Sequence, residues 1–241
     1  MKNLNQLFEE AKKNGVEAGF DKLADYLMNE CVLEVNNNEY RIAEIEFYYF
    51  NEKDEHADIF VHCNECQKKS NVFYFHPAGV DITFGNDSYY GGILIRSIIN
   101  SKTGEYIIGP NKVAYDELLK CNNKNKLMIE LITKKQKTYH PCFFKSCRVN
   151  LNIKNQHKNE VKNFIFKSYR YFLNDEKLIL NLLKFSESHF LAVMLQEKEF
   201  SPEIKNTINY KINYIKSKSF LDTQKEKREL FLKKFYDQIY S

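Results

Sequence analysis

Three rhythms of apolar and polar positions divide this chain, and each predicts a different kind of element. Near the start, Leu7, Phe8 and Ala11 recur at helical spacing, Gly15 and Gly19 suggest a break, and a second helix over roughly 21–29 carries Leu23, Tyr26 and Leu27 on one stripe. Alternation then takes over. Residues 32–35 and 39–50 read as two strands of a hairpin around the polar turn Asn36-Asn37-Asn38. A charged, irregular loop over 51–70 holds His56, His62, Cys63 and Cys66. Two strands follow at 71–76 and 80–84, with Pro77-Ala78-Gly79 turning between them. After Gly85-Asn86-Asp87 and Gly91-Gly92, residues 93–99 form a strongly apolar strand; Gly109-Pro110 ends a short one, and 112–119 begins a helix. Residues 147–153 and 164–172 read as the last strands. From Asn174 onward helical spacing returns, in Leu178, Leu182 and Phe185, in Ile204, Ile208, Ile212 and Ile215, and in Phe231, Phe235 and Ile239. Ser201 and Pro202 are suited to the cap and first residue of one such helix. The pattern predicts an α+β protein, with a body over 1–173 and a helical C-terminal extension over 174–241.

Composition narrows the class. At 241 residues and 43% hydrophobic the chain can bury a large core in one or two domains, which excludes disorder of the whole. A net charge of +4 permits a nucleic-acid partner without demanding one. Met1 is followed by polar, amphipathic sequence, and no apolar run approaches the ~20 residues that span a bilayer, so the expectation is a cytoplasmic protein with no signal peptide and no membrane contact. In that compartment the six cysteines are reduced thiols or metal ligands and not a disulfide framework.

The run Arg41 to His56 carries the most chemistry. Strand alternation sends Ile42, Glu44, Glu46 and Tyr48 to one face, and Ala43, Ile45, Phe47 and Tyr49 to the other, which is a core face. The acidic face meets either water or a cleft. A carboxylate in a cleft is costly unless paired or put to chemical use.

The order of features around that run is informative. Arg41-Ile-Ala-Glu44-Ile-Glu46-Phe-Tyr48 is followed by His56, then by the strand pair ending in Gly85-Asn86, then by Gly91-Gly92-Ile-Leu-Ile-Arg96-Ser-Ile and Ile108-Gly109-Pro110-Asn-Lys112-Val113. Arg148-Val149-Asn-Leu and Tyr169-Arg170-Tyr171-Phe172 close the series. Over roughly 21–174 this order resembles the alkyladenine (3-methyladenine) DNA glycosylase family. The resemblance implies a mixed, mostly antiparallel curved sheet, no required cofactor, and hydrolysis of the N-glycosidic bond of a damaged or modified base. It makes Glu46 the base that activates water and Arg96 the group that holds Glu46 and the water. Tyr48 and His56 would line the pocket for a flipped-out base, with Phe75 stacking on its other side. Taken without the resemblance, Arg96 is equally a structural ion-pair partner, Tyr48 and Phe75 core aromatics, and His56 a solvated loop residue.

The chain departs from that pattern at three places. The turn that carries the family's aromatic wedge has Ala78 here, which cannot plug a base stack. Asp81 stands where the family is apolar, adding an acid near the cleft, and Asn150 stands where the family commonly has glycine. These favour a single-stranded or distorted DNA, a free modified nucleotide, or binding without catalysis. Cys63-x-x-Cys66 and Cys142-x4-Cys147, with His62 and His140 beside them, have spacings that a structural zinc would accept, or are four independent thiols. Cys31 and Cys121 read as small buried hydrophobes. Lys124, Lys126, Lys134, Lys135 and Lys137 are a solvated face or a phosphate contact, and the C-terminal helices a surface for a protein partner.

Overall fold

Two asparagines set the register of the sheet. Asn36 and Asn37 both adopt positive φ (46° and 70°), the two-residue turn that matches strand twist, so strand β1 (Cys31–Val35) folds directly onto strand β2 (Asn38–Asn51) with Val35 opposite Asn38. The computed structural model describes residues 2–120, 127–134, 143–151, 163–165, 167–184, 193 and 200–218, with the side chains of 211–218 excepted. The chain divides into two compact units, Met1–Gln196 and Glu197–Ser241. In the second, Pro202–Lys218 is helical, and the Ser201 hydroxyl accepts the Ile204 amide at 3.4 Å, the cap that Ser-Pro suggests. Phe231, Phe235 and Ile239 lie outside the described residues. Among the described residues no helix is long and apolar enough to cross a membrane.

The first unit is α+β, built on one curled antiparallel sheet. Strand β3 is His56–Ala57, β4 Ser70–His76, β5 Gly79–Phe84, β6 Tyr90–Asn100, β7 Tyr106–Ile108, β8 Ile129–Thr133, β9 Phe143–Ser146 and β10 Arg170–Leu173. The main order is β4-β5-β6-β2-β1-β8. β2 is long enough to serve three partners along one edge, β1 first, β10 beyond it and β3 at its end, while β6 runs along the other edge. β9 then adds to β10. Every pairing is antiparallel, so residues in register point to the same face. One such row crosses six strands: Tyr74, Asp81, Leu94, Glu46, Arg170 and Ser146.

The opposite face is the apolar core. Helices α1 (Leu4–Lys12) and α2 (Val16–Asp25) cover it, and Phe8, Phe20, Phe47, Tyr49, Phe84 and Tyr89 form a continuous aromatic cluster there. Phe20 stacks on Phe47 with centroids 4.5 Å apart, and Tyr169 meets it edge-on at 4.9 Å. Gly15 precedes α2 at φ +111°, as a helix break would require. Gly19 is not a break. It lies inside α2, where a Cβ would stand 2.5 Å from the Phe8 ring, so glycine there lets the two helices touch.

Four other expectations are corrected. The helix read at 21–29 begins earlier, at Val16, and ends in a π-helical turn over Tyr26–Glu30; a second π-turn over Lys112–Leu118 replaces the ordinary helix there. The strand read at 147–153 is instead Phe143–Ser146, because Arg148 and Val149 leave the sheet to meet buried acids. Residues 163–165 are helical, and the last strand is confined to Arg170–Leu173. β8 carries no clear alternation and was not foreseen. Phe20→Ala should cost about 3–5 kcal/mol of unfolding free energy in urea titrations, because the cavity lies where two helices and the sheet meet.

Candidate functional site

Both faces of β2 are buried. Glu44 and Glu46, in the row opposite the aromatic core, have no solvent exposure at all. Carboxylates survive there because arginines from two distant segments reach them. Arg96 donates from Nε to Glu44 at 3.1 Å and from Nη1 to Glu46 at 3.2 Å. Arg170 donates from Nε to Glu44 at 2.6 Å, and its Nη1 donates to the Ser146 hydroxyl at 3.3 Å. The Ser97 hydroxyl closes the other Glu44 oxygen. A register irregularity between β2 and β6 at Glu44 allows Arg96 and Ser97, neighbours in sequence, to reach the same carboxylate.

Glu46 has a different set of partners. Its Oε1 accepts the Val149 backbone N–H at 2.9 Å, and its Oε2 accepts the Tyr48 hydroxyl at 2.9 Å besides Arg96. Burial, then the neighbouring Glu46, raises the Tyr48 pKa well above the ordinary phenol value, so Tyr48 stays a neutral donor. Burial opposes the charge on Arg96, but Glu46 and Glu44 outweigh it and its pKa rises. The third arginine, Arg148, grips Asp58 through both Nη atoms, at 2.6 and 3.1 Å, and lies 4.6 Å from the centre of the Tyr48 ring. Asn150, next to Val149, has φ +59°, a conformation that favours glycine and tolerates asparagine. The departure from glycine at this position is therefore a near-equivalent.

A cleft of about 430 Å³ opens beside this network. Tyr48, Phe60, His62, Gln67, His76, Asp81, Leu94, Asn150 and the rim residue Ala78 all line it. Tyr48 and Leu94 connect it to Glu46, the first by its hydroxyl and the second as the register partner of Glu46. On the other side of Leu94 stands Asp81, 3% exposed. His76 Nε2 and Asp81 Oδ1 are 3.0 Å apart, and Gln67 Nε2 donates to Asp81 Oδ2 at 3.1 Å. The Ala78 N–H donates to His76 Nδ1 at 3.3 Å, which places the imidazole proton on Nε2, facing Asp81. Gln67 is itself fixed, since its Oε1 accepts the Asn64 N–H at 3.2 Å. Gly92 leaves room for the pair: a Cβ there would stand 2.6 Å from Asp81 Oδ2 and 2.7 Å from Gln67 Nε2. His62 sits at the mouth, edge-on to His76 with centroids 4.6 Å apart. The part of its ring that is covered, and then the nearby His76, push its pKa down.

Of the residues singled out from sequence, Glu46, Arg96 and Tyr48 come together, and Ala78 lines the same cleft. His56 and Phe75 stand elsewhere. The His56 Nδ1–H donates to the Tyr49 carbonyl at 3.0 Å, and Nε2 accepts the Tyr169 hydroxyl at 2.8 Å, in the core. Phe75 is half-buried opposite Val80, while its neighbours Tyr74 and His76 face the cleft side with Asp81. Gln67 and His76 were not singled out; their signal is their place around Asp81, which folding alone assembles. Cys63 is exposed, Cys66 half-buried, and Cys147 buried with its thiol pushed up to about 11 by that burial. Cys142, Cys121, His140, Lys124, Lys126, Lys135 and Lys137 lie outside the described residues. Among the described residues no three His, Cys, Asp or Glu side chains gather as a metal ion would require.

No protein-family model matches this chain. It is 40% identical over 146 residues to Uncharacterized protein L759 of Acanthamoeba polyphaga mimivirus, a match that covers 51% of this chain and 62% of that protein. The chain thus spans less than two thirds of the relative's length.

Two expected outcomes test this geometry. Burial, ahead of the opposing pull of Asp58, lowers the folded His56 pKa below the ordinary 6.5, so the unfolded chain takes up the proton first. The stability this contributes is present above 6.5 and lost as pH falls towards the folded value. Urea unfolding should show a smaller loss for His56→Gln than for wild type between about pH 7.5 and pH 5.5. Gly92→Ala should destabilise by about 1–3 kcal/mol, since the added methyl collides with the buried Asp81–Gln67 hydrogen bond.

Proposed function

We propose that this protein hydrolyses the N-glycosidic bond of a damaged or modified base, with Glu46 as the base that activates water. The reading rests on one observation: a wholly buried carboxylate, held by Arg96, Tyr48 and the Val149 amide, abuts a cleft with aromatic and hydrogen-bonding walls. Breaking that bond sends its electron pair out with the base and leaves positive charge on the sugar. A fixed carboxylate stabilises that charge and accepts the proton of the attacking water. Tyr48 supplies the link, because its ring lines the cleft while its hydroxyl touches Glu46. In this reading the water proton passes through that hydroxyl to Glu46. Arg96 holds the Glu46 carboxylate in place for that transfer. The resemblance to the alkyladenine DNA glycosylases supports the same assignment for Glu46 and Arg96. Ala78 at the rim supports a base that is already unstacked, in single-stranded or distorted DNA or in a free nucleotide.

A second reading, binding without hydrolysis, draws on the coordination of Glu46: both its oxygens already have partners, and Glu46 itself does not line the cleft. One assay separates the two. Single- and double-stranded oligonucleotides bearing alkylated, deaminated or bulky bases are incubated with wild type and with Glu46→Gln, then treated with hot alkali to cut at abasic sites. Scission by wild type, reduced by a factor of about 100 or more in Glu46→Gln, is expected for the hydrolase. Base binding that survives in both proteins with no scission would favour the second reading.

A further inference from the structure

The two carboxylates on either side of Leu94 have contrasting surroundings. Glu46 is bound by a guanidinium, whereas Asp81 is bound by a carboxamide and by an imidazole whose Nδ1 accepts a hydrogen bond. No lysine or arginine among the described residues forms an ion pair with Asp81. Asp81 nevertheless lines the cleft at 3% exposure. Among the described residues Asp81 thus has no cationic side chain to answer its burial, and each of its oxygens retains acceptor capacity beyond the bond described for it. The surroundings are built to keep it so. Gly92 clears the space for the Asp81–Gln67 contact, and the Asn64 N–H holds the Gln67 amide with its nitrogen towards Asp81. The Ala78 N–H holds His76 in the tautomer that donates to Asp81.

We propose that Asp81 is the specificity-determining residue of the cleft and that it reads a pair of adjacent N–H donors on the ligand, the edge that a guanine-type base presents through N1–H and its exocyclic amino group. A carboxylate accepts two parallel hydrogen bonds from such an edge but only one from an edge that pairs a donor with an acceptor, as adenine and cytosine do, and it then faces that acceptor with a lone pair. A site built to bond donor groups also rejects analogues that lack them far more strongly than an apolar pocket would. The spacing fits a nucleoside. Asp81 and Glu46 lie two strands apart in one cross-strand row, about 10 Å between backbones, so a base held at Asp81 directs its sugar towards Glu46. The inference rests on the proposed reading of the cleft as a base pocket, but not on whether Glu46 hydrolyses what is bound.

Calorimetric titration of wild type and Asp81→Asn with guanosine, inosine, adenosine and cytidine, with chromatography of each ligand afterwards, tests the proposal. Wild type is expected to bind guanosine at least about tenfold more tightly than adenosine or cytidine, with inosine, which has one of the two donors, in between. Asp81→Asn exchanges one acceptor for a donor. It should lose tenfold or more for guanosine and gain affinity for adenosine, a gain that misfolded protein does not produce. Should Asp81→Asn fail to fold, Gln67→Leu removes one of the two bonds that aim the carboxylate and is expected to lower the guanosine-to-adenosine ratio. The proposal is overturned by equal binding of guanosine and adenosine to wild type, by binding of none of the four, or by a ratio that Asp81→Asn and Gln67→Leu leave unchanged. A guanosine preference with no released base, together with no scission of oligonucleotides, would sink the hydrolase reading while leaving this one standing.

Discussion

Three carboxylates and three guanidinium groups buried together govern this unit. Glu44, Glu46 and Asp58 are sealed from water, as are Arg96, Arg148 and Arg170 to within a few per cent. Removing each ion from water costs several kcal/mol, which only well-formed partners offset. The arginines come from β6, from the segment after β9 and from β10, so the array is complete only when all three have met β2. That requirement explains why β2 sits at the centre, with β6 along one edge and β10 along the other. The last of these strands, β10, puts Arg170 directly opposite Glu46 and Ser146 directly opposite Arg170. A single missing partner would leave an unpaired charge in the core, and a substitution at one arginine is therefore felt as a folding defect before it is felt as a catalytic one. Glu46→Gln is the gentler probe of chemistry, since it keeps the shape and most of the hydrogen bonds.

Much of the sheet was legible because its signals are local. The Asn36-Asn37 turn, the Pro77-Ala78-Gly79 turn and the alternation through Phe47 and Tyr49 each follow from neighbouring residues. Glu46, Arg96 and Tyr48 were named through the family resemblance, and they meet because Arg96 lies on the strand paired with β2. What failed were inferences that local pattern cannot carry. Gly19 looks like a break until Phe8 is seen against it. Arg148 and Val149 look like strand residues, but their bonds to Asp58 and Glu46 draw them out of the sheet. Alternation separates Phe75 from Tyr74 and His76, yet it does not say which of the two faces borders the cleft. His56 stands at a suggestive distance from Glu46 in sequence, while in space Tyr49 and Tyr169 claim both of its nitrogens.

The departures from the resembling family change meaning once the geometry is known. Asn150 keeps the left-handed turn that glycine would make, so the Val149 amide can still reach Glu46. Ala78 gives the rim no wedge, but its own N–H sets the tautomer of His76. Asp81, the least expected of the three, is held by two side chains of the cleft wall and accommodated by a glycine. A residue that was merely tolerated would not draw so many neighbours into fixing its orientation.

In the proposed reading, placing two carboxylates in one row with opposite surroundings also divides their labour. Glu46 is held by a guanidinium, a phenol and a backbone amide, whereas Asp81 is held by a carboxamide and an imidazole. Exchanging those roles would work badly. A carboxylate neutralised by arginine reads N–H donors weakly, because its acceptor strength is already spent, and a carboxylate on neutral donors gains too much from a bound base to let it go. Leu94, apolar, lies in register between them. In the proposed reading, recognition at Asp81 and chemistry at Glu46 are separated by the one strand that carries Leu94.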